Sequence, residues 1–240
     1  MIEKGLYNSP KDINYVVAFY NGNRRHYKES RWKEFVKAHI KYISKYQPEI
    51  GLVSFVINES FTKHDTDLIE YIDKQKLKFP YEIILRENQG FSYGGFVQVM
   101  YKNHKDFKYT WVVEDDYIQT SEFKWEMFID KFTYYNTGKG NTAYVCCLHH
   151  DNHAAICNGL ISNERIGVEI ELLGKPRGNK YSNGGFNNQI GFMAGFSRRK
   201  YQIDDITDVA HTIFMDGGKW DGTFTINYGD TTKPLIMKPI

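Results

Sequence analysis

The stretch INYVVAFY, residues 13–20, is apolar or aromatic at almost every position, as expected for a strand buried on both faces. The segment that follows, residues 27–46, carries apolar side chains at helical spacing. These are Trp32, Phe35, Val36, Ile40 and Ile43. The stretch therefore begins a strand–helix unit.

The same pattern recurs three times along the chain. Further strands are predicted at residues 51–58, 81–87 and 109–115. Helices are predicted after them at residues 65–76, 92–105 and 121–132. Strands that alternate with helices pair in parallel and are covered on both faces. The sequence thus predicts an α/β protein with a mostly parallel central sheet flanked by helices.

The pattern becomes irregular after about residue 140. One more strand is predicted at 142–148, and residues 178–196 are rich in Gly and Asn. No linker of biased composition and no internal repeat is visible. We therefore predict a single domain, 1–240, in which a mixed second half adds to the sheet and its loops line a second ligand pocket.

Composition excludes several classes of protein. With 41% hydrophobic and 16% aromatic residues, the 240-residue chain can bury a real core. Its 31 basic and 29 acidic residues give a net charge of +2, so broad nucleic-acid binding is not favoured. The clusters NRRH (23–26) and SRRK (197–200) can still hold a phosphate locally.

The N-terminus has neither a signal-peptide pattern nor an apolar run long enough to cross a bilayer, and we expect no transmembrane segment. The three cysteines are an odd number for a disulfide framework, which favours reduced thiols. The expected location is the cytoplasm.

Three adjacent carboxylates, Glu114, Asp115 and Asp116, follow directly on the buried residues of the fourth predicted strand. Such groups repel one another unless a cation or hydrogen-bond donors satisfy them. In open α/β sheets ligands collect at this end of the strands, and carboxylate oxygens suit Mg²⁺ or Mn²⁺. The alternative is that these acids only begin the next helix, where the dipole favours negative charge.

The first predicted strand runs into FYNGNRRH and not into a GxGxxG turn, which argues against a nicotinamide or flavin dinucleotide site. Phe19 or Tyr20 could stack on a nucleotide base, and Asn21 could hydrogen-bond its edge. Arg24 or Arg25 could approach a phosphate. The alternative is a turn followed by the solvated, basic start of a helix.

The third predicted strand leads into RENQGFSYGGF, residues 86–96. Gly90, Gly94 and Gly95 permit close approach of a ligand to the backbone, and Ser92 could cap the next helix. Tight packing of a helix on the sheet explains the same glycines equally well.

Taken in order, these segments resemble the nucleotide-sugar glycosyltransferases of the GT-A fold. VVEDDYIQTSEF (112–123) is similar to the DXD region of these enzymes in its EDD form. It follows the aromatic end of the first strand and the glycine-rich turn, and it precedes NNQIGFMAGFSRR (187–199) in the second half. The resemblance covers roughly residues 13–225 and rests on this order, since DXD-like triplets alone are common.

The resemblance implies a donor that is a nucleotide diphosphate sugar, with uridine as the usual base, and an acceptor hydroxyl on a glycan or another molecule. About residues 1–118 would bind the nucleotide and about 119–240 the acceptor. The donor-binding residues expected are Phe19, Tyr20, Asn21, Arg24, Arg86, Asn88, Gly90, Gly94, Glu114 and Asp115.

By the same resemblance, Asp116 would bind Mn²⁺ or Mg²⁺ on the donor diphosphate. Glu114 and Asp115 would face the ribose, the donor sugar or metal-bound water, and Glu114 is also a candidate metal ligand. His211 could complete the metal site, as histidines do in some retaining relatives.

An inverting enzyme needs a base near the acceptor hydroxyl. Asp221 is the first candidate because KWDGTF (219–224) is similar to the segment that supplies the base in an inverting relative. Asp216 is the second candidate, and Asp204 or Asp205 the third. Inversion is therefore slightly favoured, and a surface turn is the alternative for Asp221.

The segment CCLHHDNHAAIC (146–157) invites a zinc hypothesis, but its spacing matches no standard zinc pattern. Ordinary loop polarity explains it best, and an acceptor-facing loop with His150, Asp151 or His153 is the next interpretation.

Other functions remain open for this fold. A nucleotidyltransferase would use a similar sheet and metal, although no glycine-rich basic turn follows the first strand. A non-catalytic carbohydrate-binding protein would use the 18 tyrosines and 4 tryptophans for stacking. Hydrolysis of a nucleotide sugar is a further alternative.

Overall fold

The computed structural model describes nine segments of the chain. They are residues 10–22, 30–119, 141–146, 149–150, 153–154, 158–164, 201–205, 211–214 and 224–227. Within these segments, the structure describes the side chains of residues 10–22, 30–117 and 159–164.

Strands and helices alternate through the first half, as predicted. After a short 3-10 turn at Pro10–Asp12, the elements are β1 (Ile13–Tyr20), α1 (Trp32–Tyr46), β2 (Leu52–Asn58), α2 (Lys63–Lys74), β3 (Tyr81–Arg86), α3 (Phe91–Asn103) and β4 (Tyr109–Glu114). The predicted second helix begins two residues too late, and the predicted 121–132 helix lies outside the described residues.

The strands of the second half are short. They are β5 (Tyr117–Gln119), β6 (Asn141–Cys146), β7 (His149–His150), β8 (His153–Ala154), β9 (Asn158–Ser162), β10 (Tyr201–Asp205), β11 (His211–Phe214) and β12 (Phe224–Asn227). Of these, only β6 corresponds to a predicted strand.

The central sheet has seven strands in the order β10-β6-β9-β4-β1-β2-β3. All its neighbouring pairs are parallel except the two that involve β9, which runs antiparallel to both β4 and β6. The predicted class, a mostly parallel sheet flanked by helices, is therefore confirmed. The reversed strand β9 was not predicted, because NGLIS is too short and too polar at its start to stand out.

Strand β1 is buried from Ile13 to Phe19 because helices cover both faces of the sheet. On one face Tyr15, Val17 and Phe19 belong to a core shared with Phe35 of α1 and Leu68 of α2. Helix α3 packs on the other face, against β1, β2 and β4. This layering leaves the carboxyl ends of the parallel strands as the accessible edge for a ligand.

Two small sheets accompany the central one. Strand β11 pairs antiparallel with both β5 and β12, and β7 pairs antiparallel with β8. Because β5 begins at Tyr117, the residue directly after Asp116, the three-stranded sheet adjoins the three carboxylates at residues 114–116. In the described part of the chain, no helix is long and apolar enough to cross a membrane.

Candidate functional site at the carboxyl edge of the sheet

The three carboxylates that follow β4, residues 114–116, are here called the acidic turn. Glu114 is the last residue of β4. The amide of Asp115 donates to the carbonyl of Ala18 across 3.1 Å, which extends the pairing between β4 and β1 by one residue. The acidic turn therefore leaves the sheet directly beside the end of β1.

The carboxylate of Asp115 faces the protein. This residue is 1% exposed, and its Oδ2 accepts from the amide of Tyr20 across 3.4 Å. Asp115 thus links the acidic turn to the last residue of β1. Its observed contacts are those of a residue that fixes the turn.

The carboxylate of Glu114 faces α3, where the hydroxyl of Ser92 donates to its Oε1. The sequence suggested Ser92 as a helix cap, but the N-cap residue of α3 is Gly90, without a side-chain cap bond. Ser92 instead ties the start of α3 to the acidic turn. Asp116, the expected metal ligand, follows at the turn's end and is 9% exposed.

A buried histidine that is not among the expected site residues lies against the acidic turn. Nε2 of His39, on α1, lies 3.0 Å from the carbonyl oxygen of Asp115. Burial lowers the pKa of His39 to about 4, so the ring is neutral near pH 7. A signal was available, since His39 occupies an apolar position of α1 between Phe35 and Ile43.

The two aromatic residues at the end of β1 point to different surroundings. The Phe19 ring is fully buried and packs against His39 and Phe55, with ring centroids 6.0 and 6.4 Å away. It has no face open for a base. Tyr20 is half-buried, and its ring lies over Gly22, where an added Cβ would be 2.4 Å from the Tyr20 hydroxyl.

Asn21, expected to contact the edge of a base, is buried between β1 and α2. Its Nδ2 donates to the carbonyl of His64 across 3.3 Å and to Oδ1 of Asp65 across 3.0 Å. Its Oδ1 is buried without a hydrogen-bond partner among the described residues. In this structure Asn21 therefore joins two elements of the fold.

Arg86, at the end of β3, is a buried cation with neutral acceptors. Its guanidinium donates to Oδ1 of Asn58 (2.5 Å), Oε1 of Gln98 (2.8 Å) and the carbonyl of Gln89 (2.9 Å). Burial lowers its pKa to about 10. Asn58 in turn donates to the carbonyl of Phe19 across 3.2 Å. Arg86 and Asn58 thereby connect the ends of β1, β2 and β3, and the role of Asn58 was missed.

The glycine-rich turn between β3 and α3 has the close contacts that its sequence suggests. Gly90 has a φ of 76°, which a residue without a Cβ adopts readily. A Cβ on Gly94 would lie 2.0 Å from the carbonyl oxygen of Gln89. Asn88 is 5% exposed, and its Oδ1 has no hydrogen-bond partner among the described residues.

Three expected site residues, Arg24, Asp216 and Asp221, lie outside the described residues. His211 is described by its backbone, at the start of β11. Strand β11 pairs Thr212 with Gln119 and Phe214 with Tyr117. His211 precedes Thr212, so it lies toward the end of β5 that is farther from Asp116.

The candidates of third rank for the base, Asp204 and Asp205, are the last two residues of β10, at the outer edge of the central sheet. Strand β10 is parallel to β6, so its carboxyl end lies on the same side as that of β4. Three strand spacings separate β10 from β4, which is about 14 Å. In the small hairpin, His150 of β7 pairs with His153 of β8.

The described side chains contain no group of three His, Cys, Asp or Glu residues arranged to hold a metal. Glu114 accepts from Ser92, and Asp115 accepts from Tyr20. The carboxylate of Asp116 is a donor type that fits Mg²⁺ or Mn²⁺, ions that take substrate phosphates and waters as their other ligands. Among the described side chains, the acidic turn therefore offers Asp116 as a carboxylate that such an ion could use.

The sequence matches no protein-family model, and no curated protein is similar to it in sequence. Three solved structures share its fold with a TM-score of 0.51. The 4-diphosphocytidyl-2C-methyl-D-erythritol synthase of Anaerococcus prevotii is 12% identical, over 81% of this chain and 86% of that one. HddC of Yersinia pseudotuberculosis is 11% identical, over 88% and 94%. Residues 1–349 of S. aureus TarS are 12% identical, over 83% of this chain and 59% of that one.

At these identities the similarity establishes the fold. The function is therefore argued from the residues of the site.

Proposed function

We propose that this protein is a metal-dependent glycosyltransferase, which transfers a sugar from a nucleotide diphosphate sugar to an acceptor hydroxyl. The observation that carries the proposal is the position of the acidic turn at the carboxyl end of β4, beside the end of β1. Ligands of open α/β sheets bind outside these strand ends. Two of its carboxylates, Asp116 and Glu114, are suited to a metal-bound diphosphate, and Asp115 fixes the turn that carries them.

The donor would lie across the ends of β1, β3 and β4. Tyr20, half-buried at the end of β1, is the residue proposed to contact the base, taken as uracil. Asn88 and the backbone at Gly90 and Gly94 would approach the ribose and diphosphate. Arg24 would contribute positive charge to the diphosphate from the segment after β1. Phe19 and Asn21 would support this pocket from within the fold, as their burial requires.

Asp116 is the proposed ligand of Mn²⁺ or Mg²⁺, with Glu114 as a second carboxylate near it. Bound there, the metal would stabilise the negative charge that develops on the departing diphosphate. Asp115 would keep the turn in place through its bond from the Tyr20 amide. The buried Arg86 would add positive potential at the same edge without contacting the donor, because its guanidinium is engaged by Asn58, Gln98 and Gln89.

The acceptor hydroxyl must lose a proton when it attacks the sugar carbon, and Asp221 is the first candidate base. The register of the small sheet supports Asp216 as well. Phe214 pairs with Tyr117, which immediately follows Asp116, and the chain reaches Asp216 two residues after Phe214. An inverting enzyme requires a base near the acceptor hydroxyl, whereas a retaining enzyme does not need a base on that face.

The experiment compares wild type with Asp116→Asn and with the exposed control Asp106→Asn. Calorimetry with UDP and UDP-sugars, with and without Mn²⁺, measures binding. Wild type and Asp106→Asn should bind in a Mn²⁺-dependent way, and Asp116→Asn should not. Unchanged Mn²⁺-dependent affinity in Asp116→Asn would overturn the metal assignment. Products then separate the reactions, since glycosyl transfer releases the nucleoside diphosphate, whereas nucleotidyl transfer releases pyrophosphate.

The base is tested with Asp221→Asn and Asp216→Asn. In the variant that lacks the base, donor binding should persist while turnover falls by about 10² to 10⁴-fold. A product with retained anomeric configuration, or near-normal turnover in both variants, would remove these aspartates from the catalytic role.

A further inference from the structure

We propose that His39 is a positioning residue for the acidic turn, which holds the peptide between Asp115 and Asp116 and thereby sets the direction of the Asp116 carboxylate. This inference rests on the proposed function only in taking Asp116 as the metal ligand. The hydrogen bond itself is a feature of the fold.

The surroundings of His39 define which of its nitrogens carries the proton. Nε2 lies 3.0 Å from the carbonyl oxygen of Asp115, and a carbonyl can only accept, so Nε2 must donate. The neutral ring then has Nδ1 as an acceptor, which faces the hydroxyl of Tyr15 across 3.4 Å. Burial keeps the ring in this neutral form near pH 7.

Three hydrogen bonds converge on Asp115. Its amide donates to the carbonyl of Ala18, its carboxylate accepts from the amide of Tyr20, and its carbonyl accepts from His39. A peptide unit is planar, so a fixed carbonyl at Asp115 also fixes the N–Cα bond of Asp116. The first two bonds come from the neighbouring strand β1. The third comes from α1 and controls the peptide that leads into Asp116.

A purely apolar role does not explain a histidine here. The ring packs edge-on against Tyr15 and Phe19, with centroids 6.3 and 6.0 Å away, contacts that an apolar side chain could also make. Burying an imidazole costs free energy unless its nitrogens are hydrogen-bonded. The gain specific to histidine is therefore the bond to the acidic turn.

Four variants test this proposal in the full-length chain. His39→Gln can present an amide N–H near the position of Nε2, His39→Asn is one methylene shorter, and His39→Leu has no donor. Ile43→Ala, also on α1 and buried, reduces packing without removing a bond to the turn. We expect the Mn²⁺ affinity of the UDP complex to fall ~10-fold or more in His39→Leu and His39→Asn, as for other residues that orient a metal ligand. His39→Gln should recover most of it, and Ile43→Ala should keep it.

Amide hydrogen exchange provides a measurement that needs no ligand. At matched global stability, the amides of Asp115 and Asp116 should exchange faster in His39→Leu and His39→Asn than in Ile43→Ala or His39→Gln. Equal exchange across all four variants would overturn the proposal.

A wild type that binds no metal or UDP would overturn the proposed function, and the exchange rates would still decide whether His39 positions the turn. If UDP binds, equal Mn²⁺ affinity in His39→Gln and His39→Asn would also overturn the role of His39.

Discussion

The side-chain amide of Asn21 donates to Oδ1 of Asp65 across 3.0 Å, and both side chains are buried. The same carboxylate accepts from the amide of Ser60 (2.8 Å) and from its hydroxyl (2.9 Å). One carboxylate therefore connects the end of β1, the loop after β2 and the first turn of α2. This junction lies at the edge where the donor is proposed to bind.

Asn21→Asp should destabilise the protein at pH 7. The substitution keeps the shape of the side chain but places a second carboxylate against Asp65 in a buried position. Like charges at this distance repel, and the hydrogen bond is lost, which together should cost about 2 kcal/mol or more. Urea unfolding measures the loss.

The control is another amide-to-carboxylate change, Gln75→Glu, at the exposed C-cap of α2. It loses one bond to the carbonyl of Tyr71 and places a negative charge at the helix end, so it should cost less than about 1 kcal/mol. As the pH falls from 7 to 4, repulsion favours the uptake of one proton by the carboxyl pair of the variant, which should reduce the deficit of Asn21→Asp relative to wild type. A deficit that stays constant from pH 7 to pH 4 would contradict a charge-based cause.

Arg86→Lys should destabilise the protein although it preserves the charge. Lysine cannot reproduce the forked donation to Asn58, Gln98 and Gln89, so buried acceptors lose partners, at a cost of about 2 kcal/mol. Thermal or urea unfolding provides the measurement. Arg31→Lys is the control, because Arg31 also makes a two-pronged contact, with Glu34, but on the exposed surface. It should lose less than about 0.5 kcal/mol, and equal losses at the two sites would refute the argument.

Gly94→Ala should destabilise the start of α3. The added Cβ would lie 2.0 Å from the carbonyl oxygen of Gln89 and 3.0 Å from Nη2 of Arg86, and a backbone oxygen cannot move without shifting the turn. The higher helix propensity of alanine, worth up to about 1 kcal/mol, would be outweighed. Unfolding in urea measures the result, and an unchanged or raised midpoint would show that the turn adjusts freely.

Acid should destabilise the wild type partly through His39. The pKa of His39 is about 4 in the folded protein and 6.5 in the unfolded chain, so below pH 6.5 the unfolded chain binds a proton that the folded protein does not. The contribution is absent above pH 6.5 and grows to about 3 kcal/mol of lost stability as the pH falls toward 4. Unfolding free energies of wild type and His39→Gln at pH 7 and pH 4 isolate it. The variant should lose less stability over this interval, and an equal loss would contradict the burial of a neutral ring.

The sheet-forming half was predictable because its signal is local. The buried runs of β1, β2, β3 and β4 and the apolar spacing of the helices lie within single short segments, and these predicted the α/β class. The second half lacked such segments. Strand β9 was not predicted because it is stabilised by pairing with both β4 and β6. Neither strand is its neighbour in the sequence, so no local pattern marks β9.

The candidate site shows the same division at the level of residues. The sequence located the acidic turn, since three carboxylates after a buried strand are conspicuous. It did not identify Asn58 or His39. Asn58 is a single polar residue at the end of a strand, and His39 is a single polar residue on the apolar face of a helix. Their roles depend on groups many residues away.

By itself, the sequence determined the alternation of strands and helices and the place of the acidic turn at a strand end, because hydrophobic periodicity and charge are properties of neighbouring residues. The tertiary structure decided which way each polar group faces. It buries Phe19 and Asn21 in the fold, directs Asp115 toward Tyr20 and Glu114 toward Ser92, and brings His39 of α1 against the turn. The physical reason is that a buried polar group must find a partner, and the packing of distant elements, which no local pattern encodes, determines which partner is within reach.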